Sequence, residues 1–126
     1  MVLDKGFGGV PVGDLVFPTG VTRKVLDNKH IFFTKQQVDA VLAAITKEAY
    51  VSEIHDCDNF AFDAIEAVQK ALPGAAFGFA TGKMPTGNFH AVNVLYIQVA
   101  GGLQRLYYDA TARKWLTEFD VDFLMV

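Results

Sequence analysis

The chain has 126 residues, 52% hydrophobic and 20% charged, a size and balance that suit one domain, 1–126, built on a single core. Its formal net charge is -3, from 11 basic and 14 acidic residues, and no lysine or arginine cluster supplies the basic footprint of a nucleic-acid binder or of a protein drawn to anionic membranes. No stretch approaches the ~20 apolar residues that span a bilayer, residues 1–6 carry no basic lead into an apolar run, and one cysteine closes no intramolecular disulfide, so a soluble, unsecreted, cytoplasmic protein is expected.

Along the chain, Gly6, Gly8, Gly9, Pro11, Gly13, Pro18 and Gly20 make residues 1–30 an irregular arm with room for one strand. Thr34-Lys35-Gln36-Gln37 spells a capping box, and Val38, Val41, Leu42 and Ile45 recur at helical spacing, predicting an amphipathic helix to about Lys47. A second helix is predicted to open within 56–59 and to run through Phe60, Ala64, Ile65, Ala67 and Val68 until Leu72-Pro73-Gly74 stops it. From Ala75 the pattern turns to strands, over 75–80, 90–99, 103–108, 113–119 and 121–125, with a turn at Gly101-Gly102. A helical part at 34–72 followed by hairpin-linked strands at 75–126 is the α+β class, with N-terminal helices packed on a C-terminal antiparallel sheet. Residues 81–87 read as a mobile loop bordering a groove, and the apolar stretch 121–126 would pair with another copy or a protein partner if it lay at a sheet edge.

Chemistry concentrates on the only cysteine. Cys57, in His55-Asp56-Cys57-Asp58-Asn59-Phe60-Ala61, opens the second helix, where unpaired N–H groups carry partial positive charge and favour a thiolate. His90 follows in Asn88-Phe89-His90-Ala91-Val92-Asn93 and Asp109 in Tyr107-Tyr108-Asp109-Ala110-Thr111, both on strand-like segments. In a regular strand His90 shares a face with Val92, Val94 and Tyr96, and Asn93 points the other way.

This ordered trio, over 50–115, resembles the papain-like and transglutaminase-like cysteine hydrolases, and within them the C-terminal cysteine-protease domain of fungal agglutinins of the Marasmius type. The resemblance implies a papain-like or transglutaminase-like core with a Cys-His-Asp triad acting by acyl transfer on a peptide or amide substrate. Cys57 would be the nucleophile, His90 the base that holds it as a thiolate, and Asp109 the group that orients the imidazole. No cofactor is required for that chemistry. Calcium is the cation that the agglutinin relatives need, and the hard oxygens of Asp56 and Asp58 would admit it.

The residues depart from that pattern in two places. The segment 49–54 contains no glutamine to serve as oxyanion donor, and a two-residue turn at Gly101-Gly102 would set Asp109 opposite Val94, four strand residues of ~3.4 Å each from His90. A bulge or a longer loop through 99–102 would bring Asp109 closer. The other reading is a non-catalytic binding or assembly module on the same fold, in keeping with the short chain and the missing glutamine. Zinc on His55, Cys57 and His90 lacks a second ligand couple, and the glycine-rich pieces at 6–9 and 78–84 match no nucleotide-binding spacing.

Overall fold

The computed structural model describes residues 10–11, 20–24, 29–47, 49–52 and 55–126. In chain order these form β1 (Val10–Pro11), β2 (Thr22–Lys24), β3 (Lys29–His30), α1 (Lys35–Ala43), α2 (Cys57–Ala71), β4 (Phe77–Lys83), β5 (Phe89–Val99), β6 (Gly102–Asp109), β7 (Lys114–Leu116) and β8 (Asp120–Met125).

Helix α1 starts where its capping box forms. The Thr34 hydroxyl accepts the Gln37 N–H at 3.1 Å, and Gln37 Oε1 accepts the Thr34 N–H at 2.9 Å, which satisfies two donors that a helix start leaves orphaned. Thr34→Ala is expected to cost about 1 kcal/mol, read as a fall of about 3–5 °C in Tm; an unchanged Tm would show the cap to be energetically silent. Helix α2 ends as Leu72 N donates to Val68 O at 2.7 Å. Gln69 then ties the exit to the sheet, its Nε2 donating to Ala75 O and Phe77 O and its Oε1 accepting from Gly74 N.

The main sheet has six strands in the order β2-β8-β4-β5-β6-β7, and β1 pairs with β3 in a separate two-stranded sheet. Neighbours in the main sheet run antiparallel except β2 and β8, which are parallel. On one face Phe32, Val92, Val94, Tyr96 and Leu124 form a cluster. On the other, Val38 and Leu42 of α1 and Ala64 and Val68 of α2 meet Phe77, Leu95 and Tyr108. Asn93, fully buried, bridges the layers by donating from Nδ2 to Ala61 O on α2 at 2.9 Å and to Gly78 O on β4 at 3.0 Å.

Several expectations are corrected here. The fold is a sheet first, with two short helices of 9 and 15 residues among the described residues, in place of a papain-like or transglutaminase-like core of helices packed on a purely C-terminal antiparallel sheet. The sheet also recruits Thr22–Lys24 from the arm. The stretch 121–126 is not an edge strand, because β8 lies between β2 and β4. Residues 81–83 continue β4, and the supposed loop shrinks to a tight turn closed by Met84 N to Asn88 O at 2.9 Å and Gly87 N to Met84 O at 2.8 Å.

Candidate functional site

The β5–β6 hairpin turns at Ala100-Gly101, one residue earlier than the paired glycines suggested, with Val99 opposite Gly102 and Asn93 opposite Tyr108. Gly101 adopts φ +87, a conformation that L side chains rarely take. Continuing that register sets Asp109 beside Val92 instead of Val94. His90 becomes its diagonal neighbour on the same face, within side-chain reach, and His90 Nε2 lies 3.0 Å from Asp109 Oδ1. The two side chains are 19% and 7% exposed.

Asp109 also closes the turn into β7. Its Oδ1 accepts the N–H groups of Thr111 and Ala112, each at 3.1 Å, and its backbone oxygen accepts from Arg113 N at 2.7 Å. Arg113 takes the left-handed conformation at φ 59. One carboxylate oxygen thus ends the strand and orients the imidazole. Burial alone would push the Asp109 carboxyl up, but the hydrogen bond from His90, the two backbone N–H groups and the attraction of the His90 ring together hold it below its ordinary value.

Cys57 opens α2 and is partly buried, packed with Ala61, Phe79 and Ala91, so it reaches the strand residue next to His90. Among the described residues, however, the hydrogen bonds join His90 to Asp109 and do not extend to Cys57. Asp56 and Asp58 flank it. The Asp58 carboxyl is pushed up, first by its hydrogen bond with Asp56 and then by desolvation and like charge, while Asp58 Oδ1 accepts from Asn59 N and Asn59 Oδ1 from Asp56 N. These contacts make the pair part of the helix start. No group of three His, Cys, Asp or Glu side chains that could hold a metal ion is found among the described residues, and His55 turns to Asp63 at 2.9 Å.

Sequence reasoning missed a cleft of about 440 Å³ between α1, α2 and the β6–β7 turn, lined among others by Leu42, Phe60, Asp63, Lys70, Tyr108 and Thr111. The signal lay in Ala64 and Ala67, small residues one helical turn apart that leave room beneath α1. Arg113 holds the far wall by donating to Ile45 O at 3.0 Å and Leu42 O at 3.5 Å at the end of α1. The Thr111 hydroxyl is buried with no hydrogen-bond partner. The cleft and the His90–Asp109 pair share one turn, so each depends on the other's geometry.

No family model and no curated protein matches the chain. Among solved structures, it superposes on a PSL1a-E64 complex with a TM-score of 0.68 and 19% identity, covering 85% of this chain and 44% of that one. It also superposes on Polyporus squamosus lectin bound to the human-type influenza-binding epitope Neu5Aca2-6Galb1-4GlcNAc, with a TM-score of 0.64 and 19% identity, covering 80% and 41%. The chain therefore spans less than half the length of these neighbours, and the likeness is one of fold. With a neighbour named a lectin, the papain-like and transglutaminase-like resemblance and the reading as a thiol peptidase or amidase on a peptide or amide substrate are corrected: the fold is one that this chain shares with part of a lectin chain.

Proposed function

We propose that the chain is a non-catalytic binding module that takes a polyhydroxylated ligand of the carbohydrate class in the cleft between α1, α2 and the β6–β7 turn. The cleft carries this reading. Its volume of about 440 Å³ falls within the range of small-molecule sites, its wall mixes the Tyr108 and Phe60 rings with side chains of both charges, Asp63, Glu66, Lys47 and Lys70, and a sugar hydroxyl both donates and accepts. The lectin neighbour supports the ligand class. In this reading Asp109 and His90 fix the turn that forms one wall, and Cys57 fills the space where α2 starts.

Saturation-transfer NMR of the purified chain with a panel of neutral and acidic oligosaccharides tests it. At least one saccharide is expected to show transfer, and Lys70→Ala and Glu66→Ala are each expected to weaken it by about 5–10-fold, the worth of one hydrogen bond. Repeating the titration with calcium and with chelator reads whether Asp56 and Asp58 contribute. Absence of transfer across the panel, or variants that bind like the wild type, would overturn the reading.

A further inference from the structure

We propose that the outer edge of β6 is a docking site for an extended peptide segment of a protein partner, which would add to the sheet as a seventh strand. Among the described residues, strand β7 pairs only with Tyr107, Tyr108 and Asp109 and no other strand pairs on that side of β6, so β6 runs on past its edge neighbour through 102–106. In a hairpin closed by the pair Val99 and Gly102, hydrogen-bonded pairs alternate, which turns the backbone groups of Leu103 and of every second residue after it toward the outside.

A groove of about 800 Å³ lies along this stretch, and its lining reveals its shape. Gln104, Arg105, Leu106 and Tyr107 all border it. Consecutive strand residues point to opposite faces, so a cavity that touches all four abuts the strand's edge and not one face. The opposite wall is the segment 116–120 leaving β7, and Lys83, Met84 and Pro85 close one end. The slot is therefore bounded by a strand edge on one side and by chain on the other, and the three β6 residues that line it clear of β7, 104–106, give it a length of about 10 Å. A strand edge asks for alternating N–H and C=O groups, which an extended peptide supplies. Charges of both signs line the groove, Arg105 and Glu118 along it and the cross-strand neighbours Lys83 and Asp120 at its end, so a peptide bearing one acidic and one basic side chain complements it. This surface is separate from the α1/α2 cleft and stands or falls independently of the carbohydrate reading.

The probe is an acetylated, amidated heptapeptide alternating valine and threonine, with one lysine and one glutamate, titrated into the ¹⁵N-labelled chain. Amide shifts are expected to be confined to 102–106 and 116–120. The same peptide N-methylated on the alternate amides that would face β6 is expected to bind at least about tenfold more weakly, because its side chains are kept and its donors are gone. Shifts located elsewhere, no shifts at millimolar peptide, or equal binding of the N-methylated peptide would overturn the proposal. So would shifts of the 102–106 amides that follow protein concentration without peptide, which would assign the edge to a second copy of the chain.

Discussion

Replacing Gly78 by alanine is expected to remove about 3–5 kcal/mol of stability, a large share of the roughly 5–15 kcal/mol that an ordinary domain has. A Cβ at this position would stand 2.1 Å from Met125 O, 2.9 Å from Val126 Cα and 3.0 Å from Met125 C. These are backbone atoms of β8 and its exit, and backbone cannot swing aside as a flexible side chain does. The strands must part, and β8 is the strand that joins β2 to the rest of the sheet. Gly78 O also accepts from Asn93, so parting β4 from β8 disturbs the residue that fastens α2. Gly101→Ala serves as the contrast: its Cβ would meet nothing within 4 Å, leaving a backbone penalty of roughly 1–2 kcal/mol. Urea unfolding of both variants decides the matter, and a loss at Gly78 no larger than at Gly101 would mean that β8 yields where the geometry says it cannot.

The parts of this fold that were legible in the sequence are those that local chemistry determines. Thr34-Lys35-Gln36-Gln37 announced a helix start, Leu72-Pro73-Gly74 a helix stop, and the strand-like residues of 90–99 a strand, whose burial on both faces only the structure shows. The hairpin register was not legible, for a definite reason. Turning at Ala100-Gly101 instead of Gly101-Gly102 shifts each cross-strand partner by two positions, and a shift of two keeps every side chain on its own face. The hydrophobic pattern is identical in both registers. Only the observed one lets Asp109 reach His90. The parallel pairing of β2 with β8 joins residues about a hundred positions apart in the chain, and no local signal in a glycine-rich arm announces it. The cleft was hidden for a related reason, since it exists only once α1, α2 and the β6–β7 turn are brought together. Cys57, His90 and Asp109 show how far a motif reaches: their order predicted a shared locality, and the structure joins two of the three by a hydrogen bond.

Removing the Asp109 carboxylate is expected to be the most damaging change at the site itself. Asp109→Ala strands the N–H groups of Thr111 and Ala112 and leaves His90 Nε2 without its partner. In a residue only 7% exposed, such losses amount to about 3 kcal/mol. Asp109→Asn keeps an oxygen that can accept the same hydrogens but loses the charge, so a cost of about 1 kcal/mol is expected. The two variants also separate turn-building from charge through their pH dependence. Because the folded protein holds the Asp109 carboxyl below its ordinary value, the unfolded chain takes up the proton first as pH falls. The contribution of this group is therefore complete above the unfolded value, about 3.9, and is lost as pH drops through the lower folded value. Unfolding free energies measured from about pH 7 to about pH 3 should show the gap between wild type and Asp109→Asn closing on the acid side. A gap that stays constant would mean that the carboxylate acts as a neutral turn-former only, with its charge answered by solvent and not by His90. A gap that closes would identify the ionised carboxylate, with its hydrogen bonds to His90, Thr111 and Ala112, as the element that holds the β6–β7 turn, and with it the cleft wall carrying Thr111 and Arg113, in one arrangement.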